Sequence, residues 1–198
     1  MKLRALMFAI ASTLLVPQLA FAHVGLGDAH DALHGFSHPL SGLDHMLAMV
    51  SVGLLAVNLG GRAVWAVPAS FVAMMVMGGV LGMAGFSLPL NEVGIGFSVL
   101  VLGSIVALSV RLPVSIAMAL AATFALFHGF AHGAEMPENS SGLLFASGFV
   151  VSTILLHGIG IALGMGIARL SHAASHMTLK IGGGAIALVG VALVSGVI

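Results

Sequence analysis

Cysteine is absent from the chain, and with it go disulfide frameworks, thiolate metal sites and cysteine nucleophiles. Any bound metal must therefore be held by His, carboxylate, Met or backbone oxygen. Charge is almost as scarce. Six basic and six acidic side chains are 6% of 198 residues, against about a quarter in an ordinary soluble domain. There is no basic field with which to hold nucleic acid, so that class of partner is set aside. No nucleotide-binding loop, H-E-x-x-H zinc helix or G-x-S-x-G elbow occurs. ATP would have to come through a partner, and the common hydrolase chemistries have no motif to rest on.

What the chain has instead is apolar sequence, 60% of its residues. Residues 1–22 open with Lys2 and Arg4, run apolar from Ala5 to Val16 and close on Leu19-Ala20-Phe21-Ala22, the pattern of a cleavable signal peptide. Cleavage after Ala22 would leave His23 as the mature N-terminus, on the outer side of a bacterial inner membrane. Apolar stretches then recur at Leu40–Leu59, Val64–Gly85, Val93–Val110, Val114–His132, Leu143–Ala168 and Leu179–Ile198. Each approaches or exceeds the ~20 residues needed to cross hydrocarbon, which predicts an all-α, polytopic membrane protein of six transmembrane helices over residues 23–198. With the mature N-terminus periplasmic, Arg62, Arg111, Arg169 and Lys180 all fall on the cytoplasmic side, as the positive-inside rule requires. The 27 glycines suit close helix packing in lipid.

Ionisable groups inside such spans are costly and point to function. The fourth stretch ends Phe127-His128-Gly129-Phe130-Ala131-His132-Gly133-Ala134-Glu135. On a helix His132 lies about 40° from His128 and Glu135 about 20° to its other side, so the three share one face. That is a ligand set for a divalent metal. A second cluster, Leu33-His34-Gly35-Phe36-Ser37-His38-Pro39-Leu40-Ser41-Gly42-Leu43-Asp44-His45, opens the first span. Pro39 fits a first helical turn there, which places His38 near the cap, with His45 two turns on and nearly in line. Asp44 is expensive in that position unless it meets a cation. Both clusters lie toward the outer face and can build one site.

His157 stands near the middle of the fifth span and is either a helix-helix hydrogen bond or part of the same polar path. His172 and His176 read as a solvated inner loop. The segment from His23 to Asp31, with His30, is too polar to span; a free amine and imidazole at His23 would chelate a metal, or the stretch is a mobile tail. Methionines such as Met46, Met49, Met74, Met75 and Met77 would suit Cu(I) if they converged, and otherwise fill apolar space.

The first-span wording from His38 to His45, together with the fourth-span wording from Phe127 to Glu135, resembles the HupE/UreJ membrane proteins, which are associated with hydrogenase and urease gene clusters and regarded as nickel permeases. The leader, the His-rich mature start and the six-span layout are similar too, so the resemblance covers nearly the whole chain. It implies a secondary transporter, not an enzyme, whose metal-handling residues are His38, Asp44, His45, His128, His132 and Glu135; His23, His30, His34 and His157 are secondary metal candidates from their own positions and not from the resemblance. The resemblance favours Ni2+, then Co2+, as the transported ion, with no prosthetic group; lipid and metalloenzyme maturation proteins are the implied partners. The residues themselves specify only a borderline divalent cation. A membrane metal sensor or accessory protein, an intramembrane zinc enzyme and a haem-binding bundle are the competing classes. The carboxylates beside the histidines suit a metal ion better than a porphyrin.

Overall fold

The computed structural model describes residues 28–136 and 141–198, with side chains from Asp31 onward. The leader read at 1–22 and His23 lie outside the described residues, as does the His30 side chain. Among the described residues the chain forms seven helices: α1 Asp28–Ser41, α2 Leu43–Leu59, α3 Ala63–Met83, α4 Asn91–Ala107, α5 Val114–Ala134, α6 Gly142–Ala168 and α7 His172–Val194. Helix is the natural outcome for such apolar sequence, since each segment satisfies its own backbone polar groups. Outward faces stay apolar, with Trp65, Leu143, Ile181 and Leu188 among the exposed large side chains. In α7 only Gly183, Ile186 and Gly190 are buried.

Four helices, α3, α5, α6 and α7, are long and apolar enough to cross a membrane, and a fifth span results if α1 and α2 are counted as one bent unit. α4 is shorter, at 17 residues, or roughly 26 Å of rise. It ends before the expected Val110, at a turn in which Ser109 takes a left-handed φ of 49°. α7 begins seven residues before the apolar run read from Leu179, because His172, His176 and Lys180 are compatible with helix although they interrupt hydropathy; Ser171 caps it by accepting from Ala174 N. The two histidines are therefore helical, not in a loop.

The first span departs most from the sequence reading. Pro39 sits in the last turn of α1, not the first turn of the span. The chain breaks at Gly42, which is extended (φ −97°, ψ 120°), and the helices on either side are bent by 81°. Proline lacks the N–H to continue the ladder, and Gly42 makes the corner. The stretch expected to be a tail is partly α1, and Asp31 on it is tied down: its carboxylate accepts from Ser141 N at 2.6 Å, at the start of α6.

The helices pack as close neighbours, α3 on α5 and α2 on α6 running parallel, α4 on α7 running antiparallel, and α1 also against α6. The α3/α5 seam depends on glycine. A Cβ at Gly129 would collide with the Met75 carbonyl, and one at Gly78 with that of Leu126. A continuous core of Met49, Val52, Leu55, Val67, Phe71, Val99, Leu102 and Phe124 fills the bundle centre. The loops carrying Arg62, Arg111 and Arg169 lie at one end. The starts of α2 and α4 and the end of α5 lie at the other.

Candidate metal centre

At that other end four helix termini meet. α1 brings His38 in its last turn, α2 brings Asp44 and His45 in its first, α5 brings His128 and His132 with Glu135 just past its end, and α4 brings Glu92 in its first turn. They surround a pocket of about 200 Å³ lined by His38, Asp44, His45, Glu92, His132 and Glu135. The break at Gly42 makes this possible, for His38 and His45 belong to different helices and do not stand in line on one. A Cβ at residue 42 would lie 2.6 Å from the Asp44 carboxylate and 3.1 Å from the His45 ring, so glycine is what lets this pair fold back against the corner.

The imidazoles form a chain of near neighbours. Ring centroids are 4.6 Å apart for His38 and His132, 4.4 Å for His45 and His132, and 4.6 Å for His45 and His128. The hydrogen bonds fix which nitrogens are free. Asp44 Oδ1 accepts from both the His45 backbone N–H and its Nδ1–H, each at 2.8 Å. His45 Nε2 is thereby left with its lone pair, buried and without a partner among the described residues. Ser98 donates its hydroxyl proton to the Ile95 carbonyl at 2.6 Å and so accepts from His128 Nε2–H at 2.8 Å. His128 Nδ1 is then the bare nitrogen, and neither nitrogen of His132 has a described partner. Buried polar groups are ordinarily hydrogen-bonded; three adjacent imidazoles with free lone pairs are a donor set suited to a metal.

The outer part of the cluster is more open. His38 Nε2 lies 3.4 Å from Glu135 Oε2, and the Glu135 side chain is 60% exposed. Bonding to His38 holds the Glu135 carboxyl below its ordinary value of 4.5. Ligand atoms of His38, His132 and Glu135 all fall within 4.8 Å of one another. Donors around a tetrahedral ion with bonds near 2.1 Å are about 3.4 Å apart, so small side-chain adjustments would close this triad on a cation.

All six residues given the principal metal role by sequence therefore come to one place. Asp44, however, spends one oxygen on His45 and orients it, in the carboxylate–histidine arrangement usual behind a metal ligand. His34 is exposed at the rim, its ring 5.9 Å from that of His38. His157 is outside the pocket, in the middle of α6, and the Phe71 ring packs near both it and His128. The methionines do not converge on the pocket: Met49 and Met75 are buried in the core, and Met74 and Met77 face outward. Sequence reasoning did not single out Glu92, Ser98 or Phe71. Glu92 had a usable signal, as a carboxylate opening a span at the end where both clusters lie. Ser98 and Phe71 had none, being common residues inside apolar runs.

The family model described as HupE / UreJ protein matches residues 11–193 of the chain. Protein HupE of Rhizobium leguminosarum bv. viciae is 45% identical over 186 residues, which cover 93% of this chain and 95% of that relative. No solved structure matches.

Proposed function

Because the chain belongs to the HupE/UreJ family, we propose that it is an inner-membrane permease for a divalent transition metal ion, Ni2+ ahead of Co2+, supplying metalloenzyme maturation. The observation that carries this reading is the convergence of His38, His45 and His132 with the carboxylates of Asp44, Glu92 and Glu135 on one pocket at a bundle end, with His128 stacked behind His45. Imidazole and carboxylate together suit Ni2+ and its neighbours. The mature N-terminus is periplasmic in this reading, so the pocket faces outward while Arg62, Arg111 and Arg169 face the cytoplasm.

The exposed carboxylates of Glu135 and Glu92 attract the hydrated cation. His38, His132 and Glu135 replace part of its water shell. The ion then passes to the buried nitrogens of His45 and His128, which Asp44 and Ser98 hold in the tautomers that leave a lone pair inward. An inside-negative potential favours entry of a 2+ ion by about 4.6 kcal/mol per 100 mV, twice the single-charge figure. Each ligand must let go for transport to proceed, which is served by loose, non-ideal donor spacing.

The test is uptake of radioactive nickel into proteoliposomes of the purified protein, with and without an imposed potential and with cobalt, zinc and copper as competitors. Saturable accumulation is expected, driven by potential and reduced at least tenfold by His132→Ala with the variant still inserted. Nickel binding without accumulation would move the function to sensing or delivery.

A further inference from the structure

His157 is 2% exposed, and neither ring nitrogen has a hydrogen-bond partner among the described residues. A histidine that merely tied two helices together would be bonded across the seam. Instead the α2 backbone approaches so closely here that a Cβ at Gly53 would strike the His157 carbonyl. Polar groups continue on the same helix. Ser152 is fully buried with its hydroxyl unpartnered, and Thr153, one turn from His157, is bonded to the Met75 sulfur at 3.4 Å. Phe71 packs against both this region and the innermost imidazole of the entrance cluster. It is fully buried, its ring centroid 5.8 Å from that of His128 and 5.1 Å from that of His157, edge to face with the latter.

We propose that His157 is a second, transient coordination point for the transported divalent ion, on the far side of the Phe71 contact from the entrance cluster and served by the Thr153 hydroxyl on the same helix face. The ion leaves His128 as the Phe71 ring turns aside and is taken up by a bare His157 nitrogen on the way to the end of the bundle that carries the arginines. Only coordination bonds change in this step; the ion stays 2+ and no proton need move. Imidazole with a hydroxyl oxygen is a weaker set than the entrance cluster, as an exit-side site requires if the ion is to be released. The inference rests on the permease reading and extends it inward.

The experiment uses the full chain in two assays, nickel binding in detergent and nickel uptake in proteoliposomes. His157→Gln keeps a neutral polar group of similar size. Expected is nickel affinity at the entrance within twofold of the parent, with uptake at least tenfold lower. Uptake within twofold of the parent would overturn the proposal, and so would an equal loss of binding and uptake, which would make His157 a packing residue. His157→Cys gives a readout independent of protein yield, because the chain has no other thiol. A soft ligand at this point is expected to raise the Cd2+ to Ni2+ uptake ratio at least fivefold, and an unchanged ratio would overturn the proposal. A parent protein that binds nickel and never accumulates it would instead fail the permease reading, and this inference with it.

Discussion

The Asp44 carboxylate acts through its neighbour. Its hydrogen bond to His45 Nδ1 at 2.8 Å decides which nitrogen of that ring faces the other imidazoles, and Ser98 does the same for His128. Asp44→Asn keeps the shape but no longer favours the Nδ1–H tautomer with a full charge; loss of such a partner typically weakens metal affinity by about 10–100-fold. Ser98→Ala is expected to weaken nickel binding by roughly tenfold on the same ground and, by leaving the buried His128 Nε2–H unpaired, to cost about 1–3 kcal/mol of stability; calorimetric titration of both variants and thermal unfolding check this. Glu135 has a pH signature. Its pKa lies below 4.5, so its charge persists as imidazoles gain protons and is lost only in stronger acid. Nickel affinity should therefore fall from pH 7.5 to 5 through histidine protonation, and Glu135→Gln should lower the affinity across that whole range. Dialysis against nickel at four pH values distinguishes the two effects. At this scale the sequence was informative about membership and silent about role. His38, Asp44, His45, His128, His132 and Glu135 were legible because ionisable residues stand out in apolar spans. That Asp44 orients a ring and that Ser98 holds another depends on hydrogen bonds between atoms that spacing does not specify.

Between helices, the repeated pairing of histidine with glycine in the α5 motif acquires a steric reason. Gly129 and Gly133 adjoin His128 and His132 in sequence, and a Cβ on either would collide with an α3 carbonyl, of Met75 or of Gly79. The α3 backbone therefore sets how deeply α5 seats, and with it the depth of both imidazoles. Gly129→Ala should cost about 1–3 kcal/mol through overpacking and weaken nickel binding as well. Gly158→Ala, where a Cβ meets nothing within 4 Å, should leave both unchanged; thermal unfolding monitored in detergent compares the pair. Helices were readable from the apolar runs, and α3, α5 and α6 fall within a few residues of their expected limits. The corner at Gly42 was not, because Leu40–Leu59 has continuous hydropathy and the bend comes from one proline and one extended glycine acting together. α7 was cut short for a related reason, since hydropathy marks lipid contact and not helix.

Across the whole molecule, charge is sorted by end. Arg62, Arg111 and Arg169 lie on loops opposite the pocket, while Asp31, Asp44, Glu92 and Glu135 lie on its side. Single cysteines at Ser87 and Arg111, in a chain with no native thiol, should label with an impermeant maleimide from the periplasmic and the cytoplasmic side respectively. Reversal of that pattern would invert the proposed direction of entry. This sorting was legible from sequence, because the positive-inside rule needs only loop positions, whereas the meeting of four helix ends around one pocket needed the packing. One feature of that packing bears on bioenergetics. Phe71 lies fully buried with its ring against both imidazoles, His128 and His157, where a bulky apolar ring disfavours an unbroken file of water. Protons hop along such files, so in the proposed permease this ring would keep the membrane closed to proton leak, and metal entry would not discharge the gradient that drives ATP synthesis.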